Sequence, residues 1–272
     1  MSGLLVSAAW RSSGKTTIAT GLVAGLVARG LRVQPFKKGP DYIDPQWLAM
    51  AAGRACRNLD LHLQGRDEVL DQFARHAADA DMAVVEGNLG LHDGMDLEGA
   101  DSNAALAIGL GIPVVLVIDA RGMSRGAAAL LHGMATFDPS VRIAGVILNR
   151  VGGARHEGKL RAAIERFTNI PVLGAIGDDP RLGVLERHLG LVPAGELGDA
   201  QARVQAMAEA VASRIDLDAV LAIARTASPL AAASAAVPCW AAVAVHGLIF
   251  RSTGPNSRSA TSVSCATWAR SR

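Results

Sequence analysis

The sequence predicts an α/β fold, a doubly wound and mostly parallel sheet covered by helices, and three observations carry that expectation. Short apolar runs alternate with segments of helical spacing along most of the 272-residue chain. The first run leads through a small-residue loop into Gly14-Lys15-Thr16-Thr17. The unusual segments all follow the end of an apolar run, which is where open α/β sheets bind ligands.

Taken in order, strands are expected at 4–8, 33–37, 82–86, 114–118, 143–148 and 172–176, each rich in aliphatic residues. Helices are expected between them at 15–29, 67–78, 103–110, 126–137, 156–167 and 181–189. An Ala-rich pattern predicts one more, running unbroken over 200–224. From 228 the character changes: the tail to 272 holds Arg251, Arg258, Arg270 and Arg272 and no Asp or Glu. It is expected to be disordered or the translation of a shifted reading frame.

Composition narrows the function classes. Half of the residues are hydrophobic and 19% are charged, enough apolar material for a substantial core. A formal net charge of +2 gives no support for a nucleic-acid partner. No apolar run approaches the roughly 18 residues of a membrane span, and Lys15 interrupts the apolar N-terminus, so neither a membrane partner nor secretion is expected. Cys56, Cys239 and Cys265 are too far apart for a disulfide framework or paired zinc ligands, which suits reduced thiols and a cytoplasmic location.

The loop after the first strand can cradle phosphate. Backbone N–H groups of Ser13 and Gly14 curl at a helix start, Lys15 reaches the β- and γ-phosphates, and the hydroxyls of Thr16 and Thr17 lie beside Mg²⁺ and phosphate. The pattern G-x-x-x-x-G-K-[ST] is incomplete, since Ala9 stands where its first glycine belongs. That substitution removes a position free to adopt positive φ.

The second strand runs into Lys37-Lys38-Gly39-Pro40-Asp41-Tyr42-Ile43-Asp44-Pro45. The Gly-Pro turn fixes the backbone, so Asp41 and Asp44 can both face the strand-end crevice as hard oxygen ligands or substrate-orienting groups. Asp44 could equally start a helix at Pro45. The third apolar strand delivers Glu86, placed as the acid of a Mg²⁺ site, and then Gly87-Asn88-Leu89-Gly90-Leu91-His92-Asp93-Gly94, whose glycines permit close approach to a ligand. His92 receives no role. Asn149 ends a later strand and can read an adenine edge or satisfy a turn. Arg121 could bind phosphate or a substrate carboxylate, or form a surface ion pair.

These motifs in this order, with Arg57-Asn58-Leu59-Asp60 and the run 144–153, resemble the cobyrinic acid a,c-diamide synthase family, which includes hydrogenobyrinate and sirohaem amidases. The resemblance spans about 3–195. It implies a P-loop NTPase fold of the dethiobiotin synthetase and MinD-like type, and ATP- and Mg²⁺-dependent amidation of a tetrapyrrole carboxylate through an acyl phosphate. By resemblance, Lys15 and Thr16 serve the phosphates and Thr16, Asp41 and Glu86 serve Mg²⁺. Tyr42, Asp44 and Asp93 position substrate or intermediate, and Asn149 takes adenine.

Family members continue into a glutaminase domain with a nucleophilic Cys on a Gly-flanked turn, and neither Cys239 nor Cys265 has that setting. The expected organisation is therefore a synthetase domain at 1–195, a helical extension or linker at 196–227, and the aberrant tail at 228–272 in place of a glutaminase. Ammonia would come free or from a separate glutaminase, and a homodimer is compatible with the sequence. Two alternatives stand beside this: a partition-type ATPase switch, although Ala9, Trp10 and Arg11 lack the early Lys such switches carry, and an inactive truncated product.

Overall fold

The computed structural model describes residues 2–182, 186–187 and 190–229, with side chains described outside 186–191. Cys239, Cys265 and nearly all of the aberrant tail lie outside these residues.

Seven strands run parallel in one sheet, in the order β3-β2-β4-β1-β5-β6-β7. They are β1 (Gly3–Ala8), β2 (Val33–Lys38), β3 (Arg57–Leu59), β4 (Met82–Glu86), β5 (Val114–Asp119), β6 (Ile143–Val151) and β7 (Val172–Gly177). This is the doubly wound sheet the alternating pattern predicts. Strand order reverses around β1 and β4, with β2 and β3 to one side and β5 to β7 to the other. The loops leaving β1, β2 and β4 therefore part over a crevice at the carboxyl edge.

Each face of the sheet has its own core. On one, Leu4, Val6, Val84, Val115 and Val117 pack against α1 (Lys15–Ala28), α2 (Asp44–Ala52), α7 (Ala200–Arg214) and α8 (Leu217–Ala224). On the other, Leu5, Phe36, Val85, Leu116 and Leu148 meet α3 (Arg66–Ala77), α4 (Asn103–Leu110), α5 (Gly126–Phe137) and α6 (Ala154–Phe167). Burial on both faces is why these strands read as continuous apolar runs. Residues 196–227, read from sequence as an extension, supply α7 and α8 to the same core as β1.

Three local expectations change. The helix expected at 181–189 is absent among the described residues: a single 3₁₀ turn at Pro180–Leu182 is followed by a two-strand antiparallel ladder, β8 (Glu186–Arg187) with β9 (Gly190–Leu191). Pro180 and the glycines at 183 and 190 disfavour a continuous helix there. The pattern at 200–224 is two helices. Ile215 bridges to Gly174, and the Asp216 side chain accepts from the N–H groups of Asp218 and Ala219, which caps α8 and ends the run. The edge strand β3 was not foreseen, because three residues, of which only Leu59 is buried, leave no periodic signal.

Candidate active site

The P-loop joins β1 to α1. Gly14 caps the helix at φ 90°, and Ser12 also takes positive φ, at 54°. Ala9 does not, so the missing first glycine imposes no strain at that position. Ser13 Oγ donates to the Trp10 carbonyl at 2.9 Å. Lys15 Nζ donates to the Leu89 carbonyl at 2.7 Å, and Thr17 Oγ1 to the Leu182 carbonyl at 3.2 Å. Burial pulls the Lys15 ammonium down to about 8 against the pull of Glu86, and nearby Lys37 deepens the shift.

Thr16 links this loop to the carboxylates, its Oγ1 donating to Glu86 Oε1 at 2.7 Å. Residue 86 lies opposite Lys37 in the β2–β4 register, and Lys37 Nζ sits 3.2 Å from Glu86 Oε1, 2.5 Å from Asp44 Oδ2 and 3.9 Å from Asp41 Oδ2. Lys37, to which the sequence assigns no role, sits at the centre of these carboxylates. Its signal was a basic residue ending an apolar strand directly before two carboxylates. Burial alone would lower the Lys37 ammonium, but Glu86, Asp44 and Asp41 outweigh it and hold the pKa above the ordinary lysine value. Burial pushes Glu86 up to about 7 against the pull of Lys37, and raises Asp44 likewise.

Asp44 takes the helix-start reading, and both carboxylates face Lys37 at the strand end. Asp44 begins α2 with Pro45 in the first turn, and it also pairs with Lys37. Asp41 Oδ1 accepts from the N–H groups of Ile43 and Asp44, at 2.8 and 3.2 Å. Tyr42 between them is 73% exposed.

Among the described residues no three of His, Cys, Asp and Glu converge as a metal cage. Mg²⁺ characteristically uses one or two protein oxygens and completes its shell with water and phosphate. Thr16 with Glu86, whose Oε2 is buried without a partner, is a donor set of that kind.

The loop after β4 corrects one expectation. Its glycines make room for the protein's own groups: a Cβ at Gly87 would lie 2.7 Å from the Asn103 side chain, at Gly90 2.4 Å from Asp93 Oδ2, and at Gly94 2.1 Å from Asp101 Oδ1. Asn103, fully buried at the start of α4, donates to the carbonyls of Asn88 and Gly90 and to Ser7 Oγ. It thereby fastens the loop that carries Leu89 and Asp93, and nothing local in the sequence announces it. Asp93 Oδ2 accepts from Gly90 N–H at 3.1 Å. His92 donates from Nε2 to the Met134 carbonyl and rests on Phe137.

Asn149 and Arg150, at the end of β6, brace the P-loop from the other side. Asn149 Nδ2 donates to the Ser13 carbonyl at 2.9 Å, and Arg150 Nη1 donates to the Ser12 carbonyl at 2.7 Å. Arg150 is itself at positive φ, 57°, and is held by Asp119 Oδ2 at 2.7 Å. Arg121 pairs with the same Asp119 carboxylate through Nε and Nη2.

The family described as the CobQ/CobB/MinD/ParA nucleotide binding domain matches residues 12–191, which run from the P-loop past β7. The chain belongs to that family. Within it, the cobyrinate a,c-diamide synthase of Magnetococcus marinus is 55% identical over 228 residues, 84% of this chain and 49% of that protein. The hydrogenobyrinate a,c-diamide synthase of Thermobifida fusca is 50% identical over 231 residues, 84% of this chain and 48% of that protein. The chain thus spans about half the length of these relatives. Among solved structures, the septum site-determining protein MinD of Pyrococcus horikoshii, complexed with Mg-ADP, aligns over 77% of this chain and 95% of its own at 19% identity and a TM-score of 0.44. Among the described residues no helix of this family member is long and apolar enough to cross a membrane.

Proposed function

We propose that this chain carries the ATP-dependent activation step in amidating a peripheral carboxylate of a corrinoid such as cobyrinate or hydrogenobyrinate, or of sirohaem, and that 1–195 holds the reacting groups. The observation that carries the reading is the cluster of buried Lys37, Asp44 and Glu86 with the partly exposed Asp41, joined to the P-loop through Thr16. A nucleotide switch needs no such cluster, whereas a carboxylate-activating enzyme needs charged groups beside the γ-phosphate. The identity with two a,c-diamide synthases supports the same substrate class.

In this reading a substrate carboxylate oxygen attacks the γ-phosphorus of ATP and ADP leaves, giving an acyl phosphate. Ammonia then adds to the acyl carbon and phosphate departs. Lys15 exchanges the Leu89 carbonyl for phosphate oxygens. Lys37 offers positive charge beside the entering carboxylate, and Asp44, Tyr42 and Asp93 position it. Thr16, Glu86 and Asp41 would hold Mg²⁺, which supplies charge neutralisation on the β- and γ-phosphates. Asn149 spends one of its two amide N–H groups on the loop, which leaves the other N–H and the carbonyl oxygen for an adenine edge.

The test mixes purified chain with ATP, Mg²⁺, a corrinoid acid and either ammonium or glutamine, and follows product mass. Amide formed with ammonium and not with glutamine supports the reading and places ammonia release outside residues 1–272. ATP turnover that ignores every corrinoid and tracks self-association overturns it in favour of a switch.

A further inference from the structure

Next to the acid cluster is a cavity of about 270 Å³ lined by Lys38, Gly39, Pro40, Asp41, Tyr42 and Asn88. Successive strand side chains point to opposite faces. Lys37 shares its face with Val33, in the core under α1, while Lys38 shares its face with Phe36, in the core under α3 and α4. Lys38 is therefore turned away from the P-loop and is not a cation for the nucleotide.

The two lysines also differ in what satisfies them. Lys37 meets three carboxylates, whereas Lys38 Nζ donates to the neutral Asn88 Oδ1 at 3.2 Å and pairs with no carboxylate among the described residues. Only 6% of Lys38 is exposed. A buried ammonium without a counter-ion is costly unless something else supplies the negative charge. Burial lowers the Lys38 pKa, and Asp101 and Asp60 raise it only from a distance. Asp41, the one acid in the cavity wall, spends Oδ1 on the backbone of α2 and turns Oδ2 toward Lys37.

We infer that this cavity is a subsite for a second substrate carboxylate, one not being amidated, with Lys38 as its cation and Tyr42 and Pro40 as the apolar wall for the adjoining macrocycle. The inference rests on the carboxylate-amidation reading and adds to it a requirement: the substrate must be a polycarboxylate whose acid groups flank an apolar plane. Lys38 would then select among substrates without touching the reacting atoms.

The experiment measures equilibrium dialysis of cobyrinic acid, read by corrin absorbance, against wild type, Lys38→Gln and Lys38→Arg, with its fully methyl-esterified form as the probe lacking carboxylates. Lys38→Gln is expected to bind the acid about 10- to 100-fold more weakly, the loss that follows one charge-assisted hydrogen bond. Lys38→Arg should keep most of the affinity, and the ester should bind wild type and Lys38→Gln alike. Tm of Lys38→Gln should stay level or rise, since the unpaired charge is gone, and the affinity for ATP should not change. Acid binding by Lys38→Gln equal to wild type overturns the subsite, as does a fall in Tm with parallel loss of ATP affinity, which marks a structural role. Wild type that binds the acid but forms no amide refutes the amidation reading while the Lys38 comparison still decides the subsite. Wild type that does not bind the acid refutes the subsite.

Discussion

Removing the Lys37 ammonium would leave Asp44 and Glu86 buried without their counter-ion, since it lies 2.5 and 3.2 Å from them. Lys37→Met is therefore expected to cost about 3–5 kcal/mol of folding stability, read from urea unfolding, and an unchanged midpoint would refute the network. Glu86 makes a pH prediction. Its folded pKa, raised to about 7 from 4.5, means that the folded state holds a proton the unfolded chain has released. The stability this group contributes is complete below the lower value and is lost as pH rises through the upper one. Wild type should thus lose stability relative to Glu86→Gln between pH 4.5 and about 7, followed by Tm at each pH; parallel curves would contradict the assigned shift.

Helix α1 shows how one element reads two glycines differently. A Cβ at Gly21 would meet Val211 Cγ2 at 2.5 Å and the Met207 carbonyl at 2.7 Å, so α7 approaches that point closely. At Gly25 the nearest atom is Leu217 Cδ1 at 3.4 Å. Gly21→Ala should destabilise by about 1–3 kcal/mol, while Gly25→Ala should be neutral or stabilise by up to about 1 kcal/mol through helix propensity. Equal effects in denaturant titrations would show that α7 does not sit where described. The P-loop makes a second case. Asn149→Ala removes the bond to Ser13, and ATP affinity is expected to fall about tenfold with helix content intact. Gly14→Ala should be worse, because φ 90° and an Asn149 nitrogen 2.1 Å from the new Cβ both oppose it. Combining Gly14→Ala with Asn149→Ala relieves only the clash, so nucleotide binding measured by calorimetry should not return.

For the whole molecule, one face of the sheet depends on residues far along the chain. Val204, Met207, Val211, Leu217 and Val220 are nearly or fully buried in the core that contains Leu4, Ile18 and Leu22. Each such side chain is worth about 1.5–3 kcal/mol on burial, and together they rival the roughly 5–15 kcal/mol that holds a domain folded. A variant ending at 198 is expected to lose its cooperative thermal transition, and a sharp transition in calorimetry would contradict this. Residues 196–227 read as an extension in sequence because an Ala-rich helix pattern does not say which face of which sheet it covers.

The sequence by itself determined six of the sheet's seven strands, the P-loop and the acids at strand ends. Aliphatic runs and a small-residue loop ending in Gly14-Lys15-Thr16 are local properties of the sequence. Only the tertiary structure decided what surrounds those acids. Lys37 meets Glu86 because β2 and β4 are neighbours in space with β3 between them in sequence, and Asn103 reaches Ser7 across 96 positions. The loop glycines looked like room for a ligand and proved to be room for Asn103, Asp93 and Asp101. Charge compensation and steric fit are set by distance in space, and residue spacing along the chain does not encode it.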